Sequence, residues 1–231
     1  MTRRKIEYWV IPPEADAEFV ANMENVLETY EKPYDSNCPV ICMDEQPVQL
    51  VKETRQPIPA TKDHARRVDY EYEQAGTASI FMFTEPLSGW RQATARKRRT
   101  KVDWAQEMAC HLEGRYADCE KIILVCDNLN THTNGAFYEA FEPARARALL
   151  RRIEFCYTPK HGSWLNIAEN ELSSMTRQCL NDRHIGELKI LQEEIDAWSL
   201  DVNSTQRGVD WQMKIDDARC KLKSVYPTIL L

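Results

Sequence analysis

The sequence predicts an α/β protein in which a mixed β-sheet is flanked by helices. Residues 39–45 and 121–127 are short apolar runs that close on acidic residues, which is typical of buried strands with a carboxylate at the end. In the second half of the chain, stretches of helical spacing alternate with strand candidates. The chain has 231 residues, of which 43% are apolar, so it can bury one large core without disulfides.

Three further segments are predicted to be strands. Residues 68–74 alternate with period two, and residues 77–86 form an apolar run. The turn signal Ala75-Gly76 separates these two segments, so they are expected to pair as a hairpin. Residues 153–157 form the last strand candidate.

Apolar residues at helical spacing predict the helices. The predicted helical regions cover residues 14–30, 102–112, a stretch through Phe141, 143–150, 164–180, 186–198 and 216–225. Residues 1–13 are expected to form a linker that leads into the first of them. Three strands in sequence, followed by alternating helices and strands, are in the order of an RNase H-like fold.

Composition and charge exclude several classes of protein. No apolar run approaches the roughly 18–20 residues that cross a bilayer, and the N-terminus lacks the apolar segment of a secretory signal. The eight cysteines include no CxxC pair and are expected to be reduced, which favours a cytoplasmic protein. The net charge of -6 is not typical of nucleic-acid binding, but residues 95–101 contain five cations and no anion.

Asp44 and Asp127 each end a predicted buried strand. If the strands are neighbours, the two carboxylates converge, and a hard divalent cation such as Mg²⁺ or Mn²⁺ relieves their repulsion. Such a site suits phosphoryl transfer with two metal ions. An aspartate after a strand is also a common turn former or helix cap, so a third acid is needed to favour catalysis. The helix after residues 153–157 offers Glu169 and Glu171, and periodicity leaves both open because they lie equally far from its apolar stripe.

Three sequence motifs resemble those of a known enzyme family. They are YTPKHGSWLNIAENELS at residues 157–173, LVCDNLNTHT at 124–133 and ICMDEQPVQL at 41–50, and the likeness extends from residues 8–13 through 210–227. The motifs resemble the bacterial insertion-sequence branch of the mariner-like DDE transposases, whose catalytic core is RNase H-like. The resemblance implies that the acid of the AE pair, Glu169, is the third catalytic and metal-binding carboxylate beside Asp44 and Asp127.

The resemblance also implies metal-dependent DNA strand cleavage and strand transfer at transposon ends. Water first attacks a phosphodiester, and the freed 3′ hydroxyl then attacks target DNA, with Mg²⁺ or Mn²⁺, as two ions, at the carboxylates. The implied partner is DNA, from transposon ends and from the target, with a homodimer to bring two ends together. A bacterial, cytoplasmic location is implied, on the nucleoid when DNA is bound, without membrane contact.

Full-length relatives are expected to carry an N-terminal helix-turn-helix region that recognises transposon ends, for which this chain has no room. We therefore expect the chain alone to bind transposon ends weakly and with little sequence preference. The expected organisation is a linker and N-terminal helix at residues 1–35, an RNase H-like catalytic core at 36–182 and a C-terminal helical extension packed on the core at 183–231.

Two groups of residues are candidates for DNA contact. The basic run and its surroundings contribute Arg91, Arg96, Lys97, Arg98, Arg99 and Lys101, and the segment before Glu169 contributes Lys160, His161, Trp164 and Asn166. The alternatives are a solvated loop for the basic run and a core anchor for Trp164. Asn128 and His132 follow Asp127 and are expected to orient a metal ligand or a water, although His132 is equally suited to cap the next helix.

Two rival functions stay open on the sequence alone. A catalytically idle transposase remnant would serve as an oligomerisation or DNA-binding module and need not bind Mn²⁺ at millimolar concentration. An RNase H-like nuclease would degrade RNA hybrids without joining DNA.

Overall fold

The computed structural model describes residues 11–228, apart from residues 13, 56–57, 66, 68–70, 182 and 206. This part of the chain contains five strands and seven α-helices. In chain order they are α1 (Ala17–Glu31), β1 (Val40–Glu53), β2 (Tyr72–Glu85), β3 (Trp90–Arg96), α2 (Lys101–Glu113), β4 (Ile122–Cys126), α3 (Asn134–Ala140), α4 (Pro143–Leu150), β5 (Ile153–Tyr157), α5 (Ile167–Met175), α6 (Leu188–Thr205) and α7 (Ile215–Lys221).

These strands form one mixed sheet in the order β3-β2-β1-β4-β5. Antiparallel pairing joins β1 to β2 and β2 to β3, whereas β4 lies parallel to both β1 and β5. Short turns suffice for the antiparallel strands, while the parallel strands need helical crossovers. Helices pack on both faces of the sheet. The predicted fold class, an RNase H-like mixed sheet flanked by helices, is therefore confirmed.

The strand β1 separates two hydrophobic cores because its successive side chains point to opposite faces. Cys42 packs on the face covered by α1, α5 and α6, while Ile41 and Met43 pack on the face covered by α2, α3 and α4. Both faces of β4 are buried, and its sequence IILVC contains no charged residue. Close packing on both sides makes β4 and the first residues of β1, which pair with it, a rigid platform for functional groups.

The hairpin predicted across Ala75-Gly76 is wrong. Residues 68–70 lie outside the described residues, and from Tyr72 onwards the chain forms the single strand β2, which pairs with β1. The turn signal is a bulge instead, in which Gly76 lies opposite Leu50 with a φ of 109° and the register shifts at the next pair. Because glycine accepts a positive φ without strain, β2 absorbs one extra residue and continues.

The sequence predicts no strand at β3, whose buried face consists of Arg91, Ala93 and Ala95. An arginine and two alanines hide the period-two signal because none of them is β-branched or aromatic. Nevertheless, the segment pairs antiparallel with β2 along its length. The first two residues of the basic run, Ala95 and Arg96, are therefore part of the sheet, and Lys101 begins α2.

The helices follow the predicted spacing with two differences. The predicted region 164–180 consists of a 3-10 turn, the helix α5 and a π-helical turn at Thr176–Leu180. The helix α6 continues beyond the predicted end at Trp198, and its last turn carries Asn203, which exchanges two hydrogen bonds with the main chain of Arg91. Among the described residues, every helix is too short or too polar to span a bilayer.

Candidate active site

Asp44 and Asp127 occupy equivalent positions along two neighbouring strands. Asp127 directly follows the end of β4, whereas Asp44 lies within β1, which continues to Glu53. In the parallel pairing of β1 with β4, Cys42 lies opposite Val125, and two residues further along each strand come Asp44 and Asp127. Neighbouring strands lie about 4.8 Å apart. The sheet therefore brings the two carboxylates close together, at the point where the pairing of β1 with β4 stops. The predicted end of the first strand at residue 45 is wrong, because pairing with β2 extends β1 to Glu53.

The helix α5 adds a third carboxylate, Glu169, in its first turn. Asn166 caps this helix by accepting a hydrogen bond from Ala168 N at 3.1 Å, and its amide donates to Met43 O at 2.9 Å. A single side chain therefore ties the start of α5 to the residue before Asp44. In this arrangement Asp44 and Glu169 line one cleft of about 450 Å³.

The environment of Asp44 disfavours its charged form. Burial has the largest effect, and the carboxylates of Asp127, Glu169 and Glu45 add to it. A hydrogen bond from Glu45 N to Asp44 Oδ1, at 2.7 Å, acts in the opposite direction, and the net result raises the pKa of Asp44 to about 7. The charges of Asp127 and Glu169 thus act on Asp44 across the cleft. A bound cation would relieve this repulsion.

The donor set of the cleft fits a hard divalent cation. Asp44, Asp127 and Glu169 offer only oxygen ligands, which Mg²⁺ and Mn²⁺ prefer. Among the described residues, no group of three His, Cys, Asp or Glu side chains lies close enough together to hold a metal ion. Metal binding therefore requires side-chain movements that draw these carboxylates together, and relief of the repulsion at Asp44 favours that movement.

His132 lies beside Asp127 with only 1% of its side chain exposed. Its Nδ1 is 2.6 Å from Asp127 Oδ1 and 3.2 Å from the main-chain oxygen of the same residue, and its Nε2 is 3.1 Å from Glu45 Oε1. Burial alone lowers the pKa of His132, but hydrogen bonds to Asp127, Cys126 and Glu45 outweigh it and raise the pKa to about 12. His132 is thus placed to orient Asp127, while Thr133 is the residue at the N-cap of α3.

Two further residues at the site were not predicted from the sequence. Glu45 directly follows Asp44 on β1, so its side chain turns to the opposite face of the sheet, where it is buried against His132. Arg177 is exposed and lines the cleft with Asp44 and Glu169. Arg177 follows Glu169 by about two helical turns, and this spacing predicts that both side chains lie on the same side of the helix.

The exposed part of the basic run lies at the same end of the sheet as the carboxylates. Asp44 pairs with Met82, which pairs with Ala93, so β3 continues beyond the level of Asp44 before it ends at Arg96. Residues 97–99, one lysine and two arginines, follow this strand and are exposed. Lys97, Arg98 and Arg99 are therefore placed where a DNA backbone at this edge would meet them.

Two expected DNA contacts lie inside the protein instead. Arg91 is 5% exposed, and its guanidinium forms a bidentate ion pair with Glu171. Asn166 is 2% exposed and uses its amide for the helix cap and for Met43 O. A phosphate contact needs an exposed donor, so the expectation of DNA contact is wrong for both. Trp164 is half-buried and packs against the core, in agreement with the alternative considered for it.

Arg96 and Lys101 form ion pairs with acidic residues of the helices. Arg96 contacts Glu107, and Lys101 Nζ lies 3.0 Å from Glu139 Oε1. These partners partly compensate both charges. A DNA phosphate would have to compete with them, so Arg96 and Lys101 are weaker candidates than residues 97–99.

A second pocket, of about 500 Å³, adjoins Asp127. Lys160 and His161 line it together with Asn128, and all three residues are exposed. His161 has a φ of 64°, in the left-handed region that few residues other than glycine adopt. The loop therefore presents a cationic side chain, Lys160, next to the carboxylate cleft.

A sequence model of the family described as DDE superfamily endonuclease matches residues 39–192. Among solved structures, the Mos1 mariner paired end complex with Mn has a TM-score of 0.53 at 13% identity, and the match covers 87% of this chain and 60% of that chain. The Mos1 transposase paired-end complex with left transposon end has a TM-score of 0.54 at 13% identity, covering 86% and 59%. The Mos1 strand transfer complex has a TM-score of 0.52 at 13% identity, covering 86% and 59%.

At this level of identity, the structural likeness shows a shared fold. The chain spans about 60% of the length of the first of these matched chains. No curated protein matches it. The family match, in contrast, includes Asp44, Asp127 and Glu169 within its bounds.

Proposed function

Because the chain belongs to the DDE superfamily endonuclease family, we propose that it cuts and joins DNA strands at transposon ends in a reaction that depends on divalent metal ions. The observation that carries this proposal is the placement of Asp44, Asp127 and Glu169, three acids from distant parts of the chain that interact at one end of the sheet. A Mos1 transposase complex with a transposon end shares the fold, which supports DNA as the substrate class.

Asp44, Asp127 and Glu169 are the proposed catalytic residues and the proposed ligands of Mg²⁺ or Mn²⁺, with two ions in the complete site. When bound, such cations activate an attacking oxygen and stabilise the leaving oxygen of an in-line displacement at phosphorus. The three carboxylates extend from β1, β4 and α5, all of which are anchored in the cores. Rigid supports of this kind limit the movement needed to assemble the site.

Polar and cationic side chains around the cleft bind and orient the DNA in this proposal. Lys160 and His161 lie on the Asp127 side, and Arg177 lies on the Glu169 side. In the first step, water attacks a phosphodiester and the bond to the leaving 3′ oxygen breaks. In the second step, the freed 3′ hydroxyl attacks a phosphodiester of the target DNA and displaces the next 3′ oxygen.

Partners and organisation form part of the same proposal. A homodimer would bring two transposon ends together, and a helix-turn-helix region outside this chain would recognise the end sequence. Residues 36–182 are the proposed catalytic core, preceded by a linker and helix at 1–35 and followed by a helical extension at 183–231. The packing of α1 and α6 in one core with α5 supports this organisation.

The test combines a supercoiled plasmid with a labelled duplex that carries a free 3′ hydroxyl, in the presence of Mg²⁺ or Mn²⁺. The wild-type protein is expected to nick the plasmid and to join the labelled strand to it. Asp127→Asn is expected to abolish both activities, whereas Asp118→Asn, at an exposed carboxylate, is expected to leave them unchanged. Full activity of Asp127→Asn, or activity in excess EDTA, would contradict the proposal.

One observation favours a second candidate, a catalytically idle remnant that serves as an oligomerisation or DNA-binding module. In the described part of the chain, no three potential metal ligands lie close enough to hold an ion. Calorimetric titration with Mn²⁺ separates the two functions, because only the enzyme must bind metal at millimolar concentration or below. An RNase H-like nuclease would instead degrade an RNA–DNA hybrid, added as a separate substrate, without joining DNA.

A further inference from the structure

The side chain of Glu45 is a buried carboxylate close to the proposed metal site. It follows Asp44 on β1, and the alternation along the strand turns Glu45 towards the face covered by α2, α3 and α4. Only 2% of its side chain is exposed. A carboxylate buried this deeply is costly unless a charged, hydrogen-bonded partner compensates for its lost hydration.

His132 is that partner, and it connects Glu45 to Asp127. Its Nε2 lies 3.1 Å from Glu45 Oε1, and its Nδ1 lies 2.6 Å from Asp127 Oδ1. Nδ1 also lies 3.2 Å from the main-chain oxygen of Asp127, so two contacts hold the ring against Asp127. Contacts therefore run without a break from Glu45, on the face covered by α2, α3 and α4, through His132 to Asp127.

The imidazole ring of His132 has little room to move. The indole ring of Trp104 packs against it, with 5.2 Å between the ring centroids and an interplanar angle of 34°. The main-chain oxygen of His132 also accepts a hydrogen bond from Tyr157 Oη at 3.0 Å. The fixed ring restrains Asp127, whose side chain is 35% exposed and lies just beyond the end of β4.

We propose that Glu45 is a positioning residue that acts through His132 to hold the Asp127 carboxylate ready for metal binding. This inference rests on the proposed function. Because His132 engages Oδ1 of Asp127, Oδ2 is the oxygen that would bind a cation. Mutation of a residue that orients a metal ligand typically changes metal affinity by about 10–100-fold.

Two observations argue against other roles for Glu45. Glu45 lines the cleft, but its carboxylate is held against His132 with only 2% of the side chain exposed, so it offers a cation no open position. Its second oxygen, Oε2, is buried without a hydrogen-bond partner, which makes Glu45 a poor structural residue and favours a functional reason for its presence.

The experiment measures Mn²⁺ affinity by calorimetry, together with kcat and KM for cleavage of duplex DNA. Glu45→Ala removes the contact with His132 and is expected to weaken Mn²⁺ binding about tenfold or more and to lower kcat, with little change in KM for DNA. Glu45→Gln keeps an oxygen that accepts from His132 Nε2, so it is expected to recover most of the affinity. It also serves as the second variant if Glu45→Ala fails to fold.

A double-mutant cycle tests whether the effect passes through Asp127. In an Asp127→Ala background, Glu45→Ala is expected to cause no further loss of Mn²⁺ affinity, because the carboxylate that it positions is gone. A loss of the same size in both backgrounds would show that Glu45 acts by general destabilisation, and the inference would be rejected.

Glu85→Gln is a matched control. Glu85 is also 2% exposed and accepts a hydrogen bond from Tyr116 Oη at 3.0 Å, but it lies at the end of β2, beside the start of β1. This change is expected to lower the melting temperature without altering Mn²⁺ affinity. Wild-type affinity in both Glu45 variants would overturn the inference and leave the proposed function standing. Absence of Mn²⁺ binding by the wild-type protein would overturn both.

Discussion

Arg91 on the edge strand β3 and Glu171 on α5 form a buried ion pair, with Arg91 Nε 2.6 Å from Glu171 Oε2 and Nη2 2.8 Å from Oε1. The remaining donors of Arg91 bind the main-chain oxygens of Gly89 and Arg207. Residues two positions apart on a helix point about 200° apart. Fixing Glu171 on this side therefore directs Glu169 towards the cleft.

Breaking this pair is expected to destabilise the protein. Arg91→Met leaves the Glu171 carboxylate buried without its partner and should lower the free energy of unfolding by about 3–5 kcal/mol. The double variant Arg91→Met/Glu171→Leu should recover much of that loss, because it removes both charges. Urea denaturation measures both effects. Arg145→Met, which breaks the exposed pair with Glu113, is the control and should cause little change.

The two glutamates of α5 are expected to differ in their effect on metal binding. Glu169→Gln removes a proposed ligand and should weaken Mn²⁺ affinity by at least about tenfold. Glu171→Gln should lower stability but leave Mn²⁺ affinity unchanged, since Glu171 points away from the cleft towards Arg91. Calorimetry on both variants provides the comparison, and the reverse ranking would assign the third carboxylate to Glu171.

Asp44 is expected to make the metal-free protein less stable as the pH rises. The folded protein keeps a proton on Asp44 up to its raised pKa of about 7, whereas the unfolded chain releases it near pH 4. The unfolded state thus binds fewer protons between these values, so the free energy of unfolding falls across the interval. Asp44→Asn should therefore be more stable than the wild type at pH 8, by up to about 4 kcal/mol, and similar to it at pH 4.

Thermal denaturation in EDTA across this pH range tests that prediction, with Asp118→Asn as the exposed control. Added Mn²⁺ should stabilise the wild type more at pH 8 than at pH 5, because the cation neutralises the carboxylates only when they are charged. Parallel stability curves for Asp44→Asn and the wild type would mean that Asp44 ionises normally.

Asn166 is expected to have two separable contributions. Asn166→Ser retains a side-chain oxygen that caps α5 but cannot reach Met43 O, whereas Asn166→Ala loses both contacts. The cap alone is worth about 1 kcal/mol, so Asn166→Ala should be less stable than Asn166→Ser by that amount. Both variants should bind Mn²⁺ more weakly than the wild type, because α5 is no longer tied to the residue before Asp44. Equal stability of the two variants would exclude the capping role.

Arg177 is expected to contact a DNA phosphate. Arg177→Gln should weaken duplex binding uniformly across sequences and reduce the slope of log affinity against log salt concentration by about 1. Fluorescence anisotropy at several salt concentrations measures this slope. Arg151→Gln is the control, since Arg151 is exposed but precedes β5, at the end of the sheet away from Asp127. Identical slopes for both variants would remove Arg177 from the interface.

Local patterns in the sequence predict much of the fold, but they divide β2 into two strands and miss β3. Residues 153–157 coincide with β5, and Asp44 and Asp127 follow apolar runs whose strands are neighbours. In contrast, Gly76 is a turn signal that the long pairing of β1 with β2 converts into a bulge. Periodicity does not reveal β3 because its buried face includes Arg91, whose charge is compensated by Glu171 from another part of the chain.

By itself, the sequence determined where the apolar strands and helices lie, because hydrophobic periodicity is a property of neighbouring residues. Its motifs also singled out Glu169, a choice for which helical spacing had no preference. Only the tertiary structure decided which charged groups are buried together. Arg91 and Glu171 are separated by 80 positions, and Glu45 and His132 by 87. Such pairs arise when packing removes water from both partners, a condition that no local pattern records.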